Sequence, residues 1–466
     1  AFKGTLIKPA SAHLLMNLED RVNALISRYE AEYVKRTRGS REFFERARLV
    51  LPGGTTYQIR FFKPYPIYVT RARGVYVWDI DGNQYVDYWM GHGAHIMGHS
   101  PEFVVRAVNE ASLDGTHLGY PNTLEVEYAE LLARVIPGAE MVRFSNSGTE
   151  ANMYAVRLAR AYTGRRFIVK VEGGWHGGYD ALHVGVTPPF QGPESLGLLE
   201  ESIKYTLVIP FNDLGSLEKA LRANDVAAVI VEPVLGSAGC IEPEGDYLKG
   251  VRELTERYGS LLIFDEVITG FRLALGGGQE YFNVKADIVT LGKIVGGGYP
   301  GAGAIASRSE IMELLNQVKR PNARARSFHG GTFTGNRVTL TAGYTMVSYL
   351  AQHRELYGEF NARWSWVRGR LDKVCEEYGR LCWVTGAGSM VGIHFTRSRP
   401  RDARGAFMDR ISDRLYYLTH LYMRTRGILY MTEGVIHLLP SMVHGDKEAE
   451  AFVEEFSSLL SELAGR

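Results

Sequence analysis

Residues 261–303 read LLIFDEVITGFRLALGGGQEYFNVKADIVTLGKIVGGGYPGAG. Two apolar runs stand in this stretch, LLIF and ADIVTL. The first ends on Asp265-Glu266, the second on Gly292-Lys293. Runs this short and this apolar suit strands covered on both faces. In open sheets of such strands, ligands sit beyond the carboxyl ends, so a lysine at one end and an acid at another mark a candidate site. Lysine normally lies in solvent. Held in a partly desolvated site, its neutral amine can instead form a Schiff base with an aldehyde. The flanking glycines would let a flat ligand approach the backbone. Asp265, at a buried strand end, needs a compensating cation or hydrogen-bond donors, and a protonated ring nitrogen would serve. The alternative for Asp265-Glu266 is a metal-binding acidic pair of the ATPase kind, but GxxxxGK[ST] occurs nowhere in the chain.

The same texture extends outward. MVRF (141–144), RFIVKV (166–171) and AAVIVEP (227–233) are further apolar runs. Between them lie VEYAELLARV, TEANMYAVRLARAY, LGSLEKALRA and DYLKGVRELTERYG, all with helical spacing. Strand–helix alternation predicts an α/β fold, a parallel-rich sheet with helices on both faces. Before it, residues 12–50 read as helical up to Pro52-Gly53-Gly54. GVYVWDIDGNQYVDY (74–88) reads as a hairpin turning at Asp81-Gly82-Asn83. After about residue 336 helices dominate, with β-like stretches near 382–396 and 428–439 and a closing amphipathic helix. A chain of 466 residues exceeds the roughly 250–300 at which one core stops growing. The expected division is an N-terminal segment 1–99, a large domain 100–335 and a C-terminal domain 336–466, the outer two forming a smaller lobe.

Composition narrows the class. Hydrophobic residues make up 45% and charged residues 23%, which excludes disorder as the main state. Lys+Arg 53 against Asp+Glu 52 gives net +1, so no bulk charge draws the chain to nucleic acid or an anionic membrane. The start, AFKGTLIKPASAHLLMNLEDR, lacks the long apolar core of a signal peptide. Cys240, Cys375 and Cys382 match neither CxxC nor a zinc pattern, and reduced thiols in a cytoplasmic protein are the expectation.

Other strand ends add candidates. Ser147-Gly148-Thr149 open a helix after MVRF, where free N–H groups and the helix dipole suit a phosphate. The alternative is plain capping by Ser147. Trp175 in GGWHGG could lay its face over a ring, or simply fill core. Arg60 in GGTTYQIRFF is a candidate carboxylate clamp or a surface arginine. His92, His95 and His99 in GHGAHIMGH lack a recognised zinc spacing and are expected as pocket wall or structure. GAGSMVG (386–392) departs from GxGxxG and carries little weight.

The ordered set SNSGTEA, GGWHGGYD, PFND, VEPVLG, FDEVITGFR, LGKIVGGGYPGAG and HGGTFTGN resembles the class III aminotransferases, which are pyridoxal-phosphate (PLP) enzymes of fold type I. LPGG, VWDIDGNQYVDY and EMVRFSNSGTEA make the glutamate-1-semialdehyde 2,1-aminomutase group the most similar. The likeness spans about 45 to 445. It implies a large domain with a mostly parallel seven-stranded sheet and a smaller α+β lobe. It implies that Lys293 carries PLP as an aldimine and shuttles the proton, and that Asp265 pairs with the ring nitrogen. Val267 and Trp175 would cover the ring faces, and Ser147, Gly148 and Thr149 the phosphate. Asn212 would lie near the ring hydroxyl, with Glu232 supporting it. Arg60 would bind a substrate carboxylate. Thr332 would reach the phosphate of the other subunit in a homodimer. The implied activity is amino transfer between an amino acid, β-amino acids included, or an amine and a carbonyl acceptor, with no metal. The alternative is the aminomutase reaction. Two departures bear on that alternative: Ile436 stands where the aminomutase pattern has a glutamate, with Glu433 out of register, and 183–199 differs from the aminomutase loop. A nucleotide-binding α/β protein would need a fingerprint the chain lacks. A non-catalytic relative would have lost Lys293 or Asp265.

Overall fold

A computed structural model describes residues 17–465. The expected helical start at residue 12, and the reading of the chain's beginning, lie outside the described residues up to residue 16. The first part of the chain supplies two helices, Leu18–Arg36 and Arg38–Ala47, separated at Thr37. Three antiparallel strands follow: β1 (Val69–Arg73), β2 (Tyr76–Asp79) and β3 (Gln84–Asp87). The β2–β3 turn is the predicted one. The buried Asp79 carboxylate closes it by accepting the N–H groups of Asp81 and Asn83 and the Tyr85 hydroxyl.

The central sheet is built from β4 (Met141–Ser145), β5 (Phe167–Val171), β6 (Thr206–Ile209), β7 (Val226–Val231), β8 (Leu261–Asp265), β9 (Ile288–Gly292) and β10 (Gly303–Ser307). Their order is β4-β10-β9-β8-β7-β5-β6. Only β10 runs against its neighbours, and the rest of the ladder is parallel. Each residue of β7, β8, β9 and β10 is buried, which is why these runs read as continuous apolar sequence. Alternate side chains enter different layers. Leu261 and Ile263 pack with Ala155 and Leu158 of the helix Gly148–Thr163. Leu262 and Phe264 pack with Val251 of the helix Tyr247–Arg257 on the other face. The expected fold class is therefore observed.

β6 and β10 were not among the quoted runs. GAIAS sits in a glycine- and alanine-rich stretch, where the single Ile305 falls short of the β-branched density that signals a strand.

Beyond the sheet, β11 (Trp383–Thr385), β12 (Val391–His394) and β14 (Ile436–Leu438) form a second small sheet. β13 (Ile428–Leu429) crosses back to pair parallel with β3. The helix Asp413–Thr425 packs on Leu18–Arg36, so the first and last parts of the chain share one layer. GAGSMVG proves to be the β11–β12 connection, not a nucleotide loop.

The reduced-thiol expectation needs correction. Cys375 and Cys382 are joined in a disulfide, with Cα atoms 5.2 Å apart. The first lies at the end of the helix Leu356–Glu377. Gly379 and Arg380, both at positive φ, then reverse the chain and bring the second back. Cys240 is free and fully buried, and burial pushes its thiol pKa up. Among the described residues no helix is long and apolar enough to cross a membrane.

Candidate active site

Four neighbouring parallel strands deliver side chains to one edge of the sheet. β9 leads directly into Lys293, β8 ends on Asp265, β7 is followed by Glu232, and β5 by the loop carrying Trp175 and His176. Asp265 pairs in register with Thr290, three residues before Lys293. Lys293 and Asp265 thus stand side by side at adjacent strand ends, as the sequence predicted.

Asp265 is buried. Its Oδ2 accepts from Asn152 Nδ2 at 2.9 Å and His176 Nδ1 at 2.7 Å. Among the described residues its Oδ1 accepts only the Val267 N–H, at 3.0 Å. One carboxylate oxygen is thus held by side chains and the other keeps a lone pair for a cation. Asn152 is oriented in turn by Thr290, whose Oγ1 donates to Asn152 Oδ1 at 2.6 Å. Burial holds His176 below the usual imidazole pKa, with Asp265 acting against it.

Lys293 takes a left-handed backbone conformation (φ 50°) where the strand breaks into a short turn. Such strain in a non-glycine residue persists only where the surroundings impose it. Burial lowers its ammonium pKa, Asp265 and Glu232 oppose the shift, and Arg272 adds to it. An amine that yields its proton more readily is the form a nucleophile or base requires. None of the described residues hydrogen-bonds its Nζ.

Glu232 is buried. Its Oε1 accepts the Trp175 N–H at 3.0 Å and its Oε2 the Gly236 N–H at 3.2 Å. Burial and the neighbouring Asp265 charge raise its pKa. Trp175 is half-buried and meets the edge of His183, with ring centres 5.6 Å apart. Glu266 turns away, spending its carboxylate on the N–H groups of Gly278 and Gln279.

At the β4 end, Ser147 caps the helix Gly148–Thr163, its hydroxyl accepting the Glu150 N–H at 3.1 Å. The N–H groups of Gly148 and Thr149 have no acceptor among the described residues. Three glycines close this corner. A Cβ on Gly148 or Gly292 would lie 2.8 or 2.9 Å from Val267, and one on Gly177 2.0 Å from Thr149 Oγ1. Val267 is thereby wedged between the helix start and the turn of Lys293.

Arg60 is exposed and lies apart, lining a cavity of about 440 Å³ together with Thr56, Phe62, Trp89, His92 and Met431. Its guanidinium donates to Thr56 Oγ1 at 2.9 Å, and no described carboxylate pairs with it. His92 links this cavity to the strand-end cluster. Its pKa is lowered to about 4, first by burial and then by the charges of Lys293 and Arg60. His99 instead binds Asp87 at 2.7 Å, a structural role.

The structure does not bring Asn212 or Thr332 to the cluster within one chain. Asn212 spends its amide on the backbone of Glu242, Glu244 and Arg401. Thr332 lies on the exposed surface. Ile436 is fully buried in β14, and Glu433 is tied to Lys63 through the Lys63 N–H at 2.9 Å. Sequence reasoning missed Asn152, His176 and Arg272. A polar residue on the buried face of TEANMYAVRLARAY, and an arginine inside GFRLALGGG, were the available signals. Arg272 is completely buried with no carboxylate partner among the described residues, donating to the carbonyls of Pro440 and Gly93 at 2.7 and 3.0 Å.

The chain is 44% identical over 360 residues to a glutamate-1-semialdehyde 2,1-aminomutase of Methanothrix thermoacetophila, covering 76% of this chain and 82% of that one. An omega-transaminase from Sphaerobacter thermophilus superposes with a TM-score of 0.84 at 34% identity, over 91% of this chain and 97% of that one. A glutamate-1-semialdehyde-aminomutase from Pseudomonas aeruginosa in complex with PMP gives 0.87 at 25% identity, over 96% and 99%. The family model "Aminotransferase class-III" matches residues 60–460, and the chain belongs to that family.

Proposed function

We propose that the chain catalyses PLP-dependent amino transfer, with Lys293 as the residue that bonds the coenzyme. The observation that carries this reading is the juxtaposition of Lys293 and a buried carboxylate at adjacent strand ends. The donor set fits the coenzyme. The unpaired N–H groups of Gly148 and Thr149 suit a phosphate, aided by the hydroxyls of Ser147 and Thr149. Asp265 Oδ1 suits a protonated ring nitrogen, Val267 and Trp175 suit the two ring faces, and Glu232 braces the Trp175 backbone. When bound, PLP withdraws electrons from the substrate carbon that bears the nitrogen.

The protein's own part is positioning and proton traffic. Lys293 Nζ would hold the coenzyme, and the same amine, when free, would take the proton from the substrate carbon and return it. Asn152, His176 and Val267 all donate to Asp265 and fix the orientation of its carboxylate. Arg60, unpaired in its cavity, receives a substrate carboxylate.

Names of relatives at this level of identity support the intramolecular form, an aminomutase acting on glutamate-1-semialdehyde. A second reading, transfer between an amino acid or amine and a separate carbonyl acceptor, is favoured by Ile436. That position offers a buried aliphatic side chain where an acid is expected, and Arg60 opens into a largely apolar cavity. Incubation with glutamate-1-semialdehyde alone, beside a screen of amino donors against pyruvate and 2-oxoglutarate, separates the two. Turnover without a second substrate establishes the aminomutase, and turnover only with paired donor and acceptor overturns it in favour of the transaminase.

The same reading places the work in the cytoplasm, in a homodimer whose exposed Thr332 reaches the partner's phosphate. It divides the chain at about residues 99 and 335, supported by the separate small sheets on either side of the central one.

A further inference from the structure

The loop that carries Trp175 and His176 is closed on itself. It opens and ends on one hydrogen bond, from the Gly173 N–H to the Gly185 carbonyl at 2.8 Å. The glycine at its far end lies against the sheet, since a Cβ there would meet Val208 of β6 at 2.5 Å. Into the ring so formed projects Lys170 of β5, which has no exposed surface at all. Its Nζ donates to the carbonyls of Gly174 at 2.9 Å, Leu182 at 3.1 Å and Val184 at 2.6 Å. An ammonium has three donors and no acceptor, so these three bonds satisfy it completely.

Nothing in the proposed chemistry employs this lysine. Its strand neighbours Val169 and Val171 are apolar and buried, and an apolar residue would extend that pattern. Placing a cation there is costly unless it is fully coordinated. Burial lowers its pKa to about 7, with Glu194 and Glu232 acting against the shift at a distance. The three acceptors straddle the functional part of the loop. Gly174 directly precedes Trp175 and His176, while Leu182 and Val184 lie on the returning limb beside His183, whose ring meets Trp175.

We propose that Lys170 is a positioning residue whose ammonium anchors loop 173–185 from within, so that Trp175 faces the coenzyme site and His176 reaches Asp265. Its consequence at the coenzyme rests on the PLP reading above; the anchor itself does not.

The test is Lys170→Met in the full chain, which keeps the stem and removes the donors. Hydrogen exchange should quicken about tenfold or more at the amides of 173–185 while β7 and β8 stay protected, because loss of local bonds opens a local unit. Coenzyme dissociation should rise about tenfold, as expected for a mis-set site, and the visible circular dichroism of bound coenzyme should change. A folded Met variant with loop exchange and dichroism within about twofold of wild type overturns the proposal.

Should that variant not fold, the wild type decides. Under limiting acetic anhydride, Lys170 should label far more slowly than the exposed Lys249 and Lys319, and labelling at their rate overturns the anchor. A wild type that takes up no PLP at all sinks the functional reading instead, and exchange in the coenzyme-free protein still judges the anchor.

Discussion

At Asp265 the side chain is held by three donors, two of them side chains from other segments. Asp265→Asn places an NH2 group opposite those donors. Depending on which way the amide turns, it faces either Val267 N–H or the Asn152 and His176 pair, and one contact becomes donor against donor. The substituted protein should still bond PLP through Lys293, yet single-turnover amino transfer should slow by roughly 100–1000-fold, the range for losing one preorganised electrostatic partner. Stopped-flow measurement of the visible coenzyme band checks this, and a rate within about threefold of wild type would contradict the assigned role. Asp265 and Lys293 were legible because polar residues ending apolar runs break a pattern. Asn152 and His176 were not legible as a pair. They lie 24 residues apart and meet only because the helix start and the loop after β5 converge on one carboxylate.

The helix Gly148–Thr163 and the loop 173–185 are most crowded where Gly177 faces Thr149, beside the Asn152 bond to the His176 carbonyl. Gly177 has φ +87°, and a Cβ there would lie 2.0 Å from Thr149 Oγ1. Gly177→Ala therefore meets both a conformational cost and an overpacking cost, together about 2–4 kcal/mol. The lowered urea midpoint should be joined by weaker coenzyme phosphate binding, because the helix start and the loop must separate. A variant as stable as wild type would show that the loop yields freely. At this scale the long apolar strands were legible, since burial on both faces writes itself as continuous hydrophobicity. β10 was not, because an antiparallel strand in which small residues surround the single Ile305 packs by close backbone approach: a Cβ on Gly303 would lie 2.3 Å from the Ser147 carbonyl oxygen. The Cys375–Cys382 bond escaped for a related reason. A spacing of seven residues says nothing until the turn at Gly379 and Arg380 folds it back.

Across the whole molecule, the first and last parts of the chain meet through β3 and β13. They enclose the Arg60 cavity, to which Phe62, Trp89 and Met431 contribute from distant positions. No local motif encodes that meeting, so the substrate side of the site was less legible than the strand-end side. Two lysines flank the same sheet edge, Lys170 buried and Lys293 half-buried, and their duties are opposite. Lys170 has all three donors occupied by carbonyls, while Lys293 has a lowered pKa and no hydrogen-bond partner among the described residues. Borohydride reduction of the PLP-loaded protein followed by peptide mapping separates them most directly. One reduced coenzyme per chain is expected, on Lys293 alone, with loss of activity. Attachment at Lys170 or any other lysine, or full activity after reduction, would contradict it.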